Sequence, residues 1–435
     1  MAMPARRGFR PGQPRRGVRG GLAGVLTLGL AGMVTLAGCG GGTAAEPQHT
    51  GATPGHTASV KTARATQGAR AAVPRPAERA PAAAKSCPAT VLAGLSEAQR
   101  VGQLFLVGLP GNDVAGSVAA AITGHHYGSA IFGANSGGGV AGARKVSDAV
   151  QALATRPATG GVRFFVAANQ EGGEVQALKG PGISAIPSAL SQGTDHVAAL
   201  RKLATVWGHQ LRAAGVNLNL APVLDVVPPG TDRENAPIGA LEREYGHDPA
   251  TVAAHGVAFL HGMAGAGVAT SAKHFPGLGR VRGNTDFTSS VVDTSTTASA
   301  AYLQTYQDAI NAGVPLVMVA LATYTRIDPH ELAVFSPTVV RGLLRDHLHF
   351  RGTIISDDMG AAAAVAHISP GTRAVDFVAA GGDLITTESL PVAGDMDSAL
   401  LARAGSNSAF RAEVNAAALQ VLATKQKYGL LPCSK

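Results

Sequence analysis

The sequence predicts an α/β protein built as a single-domain (β/α)8 TIM barrel, on three observations. Short apolar, β-branched runs alternate with longer helical patterns from about Pro88 to Leu431, as strand and helix do in a parallel fold. Eight such runs can be placed in about 345 residues, the count and size of an eightfold barrel with insertions. Polar clusters stand at the carboxyl ends of four runs, the end at which barrels of this kind carry their chemistry.

The chain ahead of the barrel is read first. Residues 1 to 38 form an export signal, with Arg6, Arg7, Arg10, Arg15, Arg16 and Arg19, an apolar run from Leu22 to Leu36, then Leu36-Ala37-Gly38-Cys39; this segment is excluded from the fold. Small residues before a Cys at the end of a short apolar segment are what lipoprotein signal peptidase cleaves. Cys39 is therefore expected to carry lipid, anchoring an exported protein to the outer face of the cell membrane. An ordinary signal peptide or a membrane helix with an incidental Cys fits less well, since the run is shorter than the ~20 residues a span needs. Sec and twin-arginine export both stay open.

Residues 39 to 86, rich in Gly, Ala, Pro and Thr with few large apolar side chains, cannot bury enough surface to offset ordering entropy and are expected to be a disordered tether. The formal charge of +8 belongs to these leading segments. Six signal arginines account for most of it, and the tether carries six Lys or Arg against two Glu, leaving residues 87 to 435 at about −2. The basic balance therefore gives no indication of nucleic-acid binding, and none is expected. Cys87 and Cys433 stand at the two ends of the folded region, and an oxidising compartment predicts a disulfide between them, against the alternative of two free thiols.

Within the barrel, an opening helix is expected over Leu95 to Gln103. The eight strand candidates are Leu104 to Leu109, Ser129 to Gly133, Phe164 to Ala168, Val216 to Ala221, Val268 to Ala272, Leu316 to Ala320, Thr353 to Ser356 and Asp383 to Thr386. Gly137-Gly138-Gly139 reads as a turn after the second. A representative helix has Thr194-Asp195 as its cap, apolar residues at Val197, Leu200, Ala204, Trp207 and Leu211, and Gly215 as its stop. Trp207, the only Trp, falls on the buried stripe, with a sugar platform as the alternative.

The polar clusters are Asn169-Gln170-Glu171-Gly172-Gly173 after the third run, Asp225 after the fourth, Lys273-His274 after the fifth and Asp357-Asp358 after the seventh. Lys273-His274-Phe275-Pro276-Gly277-Leu278-Gly279, with Thr353-Ile354-Ile355-Ser356-Asp357-Asp358-Met359, resembles the family 3 glycoside hydrolases. The resemblance is to the single-domain bacterial β-N-acetylglucosaminidase branch, including its actinobacterial lipoproteins, and spans nearly all of residues 88 to 432. It implies retaining hydrolysis, in which a carboxylate attacks the anomeric carbon and an acid protonates the leaving oxygen.

By that resemblance Asp357 is the nucleophile, while Asp358 accepts hydrogen bonds or caps the next helix. Lys273, His274 and Arg243 match positions that bind sugar hydroxyls, and Asp225 one that orients the Lys or Arg. Two residues are inserted before Arg243 relative to the family pattern. The chain departs from the branch in two further places. Asn169 and Glu174 stand where the family has Asp and Arg, which implies weaker or altered sugar binding. In the loop after the fifth strand, Asn284 and Asp286 replace an Asp-x-His pair, leaving Asp286 as the candidate acid/base oriented by Asn284, or the acid missing.

The expected function is exo-hydrolysis of terminal β-GlcNAc from cell-wall (peptidoglycan) fragments. The alternatives are a catalytically impaired sugar-binding lipoprotein and a β-glucosidase or β-xylosidase. Phe275-Pro276-Gly277 favours the GlcNAc branch. No Cys/His or His/Glu spacing suggests a metal, no cofactor is expected, and a monomer is expected.

Overall fold

Eight short parallel strands close on themselves: β1 (Phe105–Leu109), β2 (Ser129–Phe132), β3 (Phe165–Ala168), β4 (Leu218–Asn219), β5 (Ala269–Phe275), β6 (Leu316–Val319), β7 (Thr353–Asp358) and β8 (Leu384–Thr387). The register runs round the ring through Leu106 with Ser129, Ser129 with Phe165, Ala167 with Leu218, and Leu218 with Ala269. It continues through Ser271 with Leu316, Leu316 with Thr353, Ile355 with Leu384, and Ile385 with Phe105, which closes the barrel. The structure, a computed structural model, describes residues 86–134 and 136–433. The export signal, most of the tether and Cys39 lie outside the described residues. No helix among the described residues is long and apolar enough to cross a membrane.

Alternation along each strand sorts the side chains into two cores. Leu106, Ile131, Phe165, Ala167, Leu218, Ala269, Leu316, Met318, Ile355 and Leu384 fill the barrel, while Phe105, Val107, Phe132, Val166, Val317 and Ile354 face the helices. This period of two explains the β-branched, nearly continuous apolar runs, since both faces are buried. At the amino ends of the strands the helix Ser408–Lys427 lays Val421 against the interior core. Lys425 is buried there, donating to Gln103 Oε1 at 2.8 Å and the Gly128 carbonyl at 2.7 Å; burial lowers its pKa to about 7.

All eight predicted runs form strands, and three of them differ by two or more residues at an end. β4 shortens to two residues, while β5 extends through Phe275 and β7 through Asp358, so Lys273, His274 and both aspartates belong to strand ends rather than to loops. The opening helix covers Glu97–Gly102 and begins with a capping box, in which Ser96 and Gln99 bond each other's backbone N–H.

In the representative helix, Val197–Ala213, His196 rather than Thr194-Asp195 occupies the cap position, without a side-chain bond. Thr194 is diverted to the Ser191 carbonyl of the preceding turn. Val197 is 42% exposed, outside the buried stripe. Trp207 is 5% exposed and packs on Phe259 at 6.3 Å between ring centroids, a core role. The triple glycine leads directly into the helix Gly139–Ala152, with Gly138 as its cap. Cys87 and Cys433 are joined in a disulfide, with their Cα atoms 6.1 Å apart.

Candidate active site

At the carboxyl end of the barrel a cavity of about 450 Å³ is lined by Asn169, Arg243, Lys273, His274, Asn284, Asp286, Asp357, Asp358 and Glu388, among others. Strand parity explains part of the gathering. Asn169 continues the inward set Phe165 and Ala167, and Asp357 lies two residues beyond the inward Ile355.

One wall is a buried charge network centred on Glu171. Arg243 donates to both its oxygens, each at 2.8 Å, and Lys273 Nζ approaches Oε1 at 2.6 Å. Burial alone would raise the Glu171 pKa, but Arg243 and Lys273 outweigh it and hold the carboxyl at about 2. The carboxylate thus fixes two cations that each keep donors beyond those given to Glu171. Lys273 spends one such donor on Asn169 Oδ1 at 3.0 Å. Glu171 reaches its place through a tight hairpin, Gln170–Gly172 with Val175–Gln176. There Gly172 has φ 115°, and a Cβ would meet the Pro187 carbonyl at 2.1 Å, so only glycine fits.

Asp225 has a different partner from the one expected. It is fully buried and accepts from His274 Nδ1 at 2.7 Å, with weaker support from the His274 backbone N–H at 3.2 Å. The Leu278 N–H and Tyr306 hydroxyl also donate to it, at 2.7 and 3.3 Å. Asp225 orients the imidazole and the turn after β5; the pairing with Lys273 and Arg243 is made by Glu171. With Nδ1 held by Asp225, His274 presents Nε2, which lies 3.4 Å from Arg243 Nη2. The insertion before Arg243 forms a 3-10 turn, Gly239–Leu241, followed by Glu242 in the left-handed region at φ 53°. This returns the chain inward, and Arg243 Nη1 donates to the Pro237 carbonyl at 2.8 Å.

The opposite wall is acidic. Asp357 lines the cavity, its Oδ1 accepting from the Asp358 N–H at 2.9 Å. Asp358 instead accepts the N–H groups of Gly360, Ala361 and Glu388, the backbone role expected of it. Asp286 joins the cavity from the loop after β5. Its pKa is raised, by desolvation foremost and then by the charge of Asp357. Asn284 does not hold the Asp286 carboxylate: it accepts from the Asp286 backbone N–H at 2.9 Å, shaping the loop rather than the acid.

Glu388, which the sequence reading passed over, lies just beyond β8. Burial and then Asp358, Asp286 and Asp357 raise its pKa to about 6. Both Asp286 and Glu388 still touch solvent at the rim, beside Phe287, 83% exposed. Glu174 is exposed and lines no part of the cavity, so its reversed charge acts at a distance. The structure thus gathers Asn169, Arg243, Lys273, His274, Asn284, Asp286 and Asp357 in one cavity, with Asp225 behind His274. The missed members, Glu171 and Glu388, are charged residues at strand ends, where barrel logic directs a search.

Residues 97–423 match the glycosyl hydrolase family 3 N terminal domain. A Beutenbergia cavernae β-N-acetylhexosaminidase structure is 46% identical with a TM-score of 0.75, over 76% of this chain and 98% of that one. M. tuberculosis LpqI is 26% identical with a TM-score of 0.67, over 78% and 96%. A Stenotrophomonas maltophilia β-hexosaminidase is 35% identical over 227 residues, half of this chain and 63% of that protein's length. A closed parallel barrel, a basic wall facing clustered carboxylates at its mouth, and a family match running through nearly the whole of it lead to one conclusion: the chain belongs to glycoside hydrolase family 3.

Proposed function

We propose that the chain is a retaining exo-β-N-acetylglucosaminidase that removes terminal GlcNAc from cell-wall fragments, held outside the membrane by lipid on Cys39. The observation that carries the chemistry is the single cavity into which Asp357 and Asp286 both open. Asp357 attacks the anomeric carbon and Asp286, whose hold on a proton is strengthened by desolvation and by the charge of Asp357, gives a proton to the leaving oxygen; as a carboxylate it then activates the water that releases the sugar. Lys273, Arg243 and His274, immobilised by Glu171 and Asp225, hold the sugar hydroxyls without paying for reorientation at each turnover. Asn169 offers an amide where a carboxylate would grip harder. The N-acetylhexosaminidase name of the Beutenbergia neighbour supports the choice of sugar.

Glu388 supports a second reading of the acid. Its pKa of about 6 suits proton transfer near neutrality, and its carboxylate accepts no hydrogen bond from a described residue.

The test is a panel of aryl β-glycosides presented to the purified full-length chain in phosphate and in non-phosphate buffer. The expected result is cleavage of the GlcNAc glycoside over the glucoside and xyloside, with free GlcNAc as product in both buffers, because a newly formed Asp286 carboxylate repels phosphate. Saturable GlcNAc binding without turnover would favour the sugar-binding alternative. Preference for glucoside or xyloside would overturn the sugar assignment, and GlcNAc-1-phosphate as main product would overturn hydrolysis.

A further inference from the structure

Behind the arginine that enters the cavity lies a second polar cluster. Asp232 opens a short 3-10 turn, Asp232–Glu234; Glu244 directly follows Arg243, and His247 stands three residues further on. One ligand atom from each lies within 4.8 Å of the others. His247 Nδ1 is 3.5 Å from Asp232 Oδ1 and 3.3 Å from the Val227 carbonyl.

An independent feature points to a ligand. Glu244 is 0% exposed, and neither of its carboxylate oxygens accepts a hydrogen bond from a donor among the described residues; Asp232 Oδ1 has only the 3.5 Å contact with His247. A carboxylate fully withdrawn from water and facing another carboxylate requires a compensating positive charge or a proton.

We propose that Asp232, Glu244 and His247 form a binding site for one divalent cation of the Zn2+ or Mn2+ class. Two carboxylates and an imidazole suit those ions better than Ca2+ or Mg2+, which favour all-oxygen shells. Ligand atoms around a tetrahedral ion bonded at ~2.1 Å stand roughly 3.4 Å apart, so the cluster closes on the ion by a small contraction. Bound there, the cation ties the turn at Asp232 to the segment immediately following Arg243, behind the basic wall of the cavity. Such a site departs from the expectation of no metal drawn from sequence spacing.

The experiment uses full-length protein stripped with chelator and titrated with Zn2+ at pH 7.5. Calorimetry and metal content after gel filtration are measured for wild type, Glu244→Gln, His247→Gln and Asp357→Asn. Wild type and Asp357→Asn are expected to retain one equivalent, while Glu244→Gln and His247→Gln each bind at least ~10-fold more weakly, the scale of losing one metal partner. His247 is only partly buried, so its variant keeps the test open if Glu244→Gln does not fold. Unchanged binding in both ligand variants, or no binding by wild type, would overturn the proposal. Loss in Asp357→Asn alone would assign the ion to the catalytic carboxylates and also overturn it. Ca2+ binding as tightly as Zn2+ would contradict the proposed class.

Discussion

Asp286 and Glu388 both stand within electrostatic reach of Asp357, the proposed nucleophile, and their leaving-group dependence separates them. Asp286→Ala is expected to slow hydrolysis of poor leaving groups by ~100-fold or more and of activated aryl glycosides much less, because the latter depart without protonation. Glu388→Gln should leave that ratio near wild type. Comparing kcat/KM for a dinitrophenyl and an unactivated alkyl β-GlcNAc decides it, and the opposite pattern would transfer the acid role to Glu388. The location of Lys273, His274 and Asp357 at the cavity was legible in sequence because a short motif carried each position. The sequence reading misassigned Asp225 because the partner of a buried carboxylate is set by which strands neighbour each other. β4 and β5 are adjacent in the barrel, and Asp225, just beyond β4, meets His274 on β5, while Glu171 arrives through a hairpin no local pattern announces.

At the scale of elements, strands were legible because burial on both faces leaves near-continuous apolar runs, whereas their ends were not. β5 and β7 carry polar residues at their tips, which read as loop, yet Lys273 bridges Val223 and Asp358 pairs with Thr386. The helix Val197–Ala213 gives a quantitative check on stripe assignment. Trp207→Ala should cost about 3–5 kcal/mol by removing a buried aromatic from between helix and neighbour. Val197→Lys, on the exposed face, should stay within about 0.5 kcal/mol. Urea unfolding followed by circular dichroism measures both; comparable losses would place Val197 in the core after all. The cation cluster was invisible at this scale for a related reason: Asp232 and His247 stand fifteen positions apart, and a looping segment, not a helix face, brings them together.

For the whole molecule, the Cys87–Cys433 bond spans a sequence separation of 346 and ties the entry of the barrel to its exit. In the chain-entropy account, closing so long a loop stabilises by about 4–5 kcal/mol, often less in practice. The Cys87→Ser/Cys433→Ser variant should therefore unfold at lower urea while keeping its circular dichroism spectrum; an unchanged midpoint would show that the link does not constrain the unfolded chain. The barrel class was readable from eight runs and the position of their polar tips, since both follow from one architecture. The candidate site was readable only in outline, because its charges are distributed over five strand ends and two loops. The central claim is covalent catalysis from β7, and its most direct test is mass spectrometry of the protein quenched with an activated β-N-acetylglucosaminyl donor bearing a 5-fluoro group, which slows release of a glycosyl-enzyme. The account predicts one sugar adduct per chain, mapped to Asp357 and missing in Asp357→Asn. An adduct on another residue, or turnover of the donor with no adduct and unchanged activity in Asp357→Asn, would contradict it.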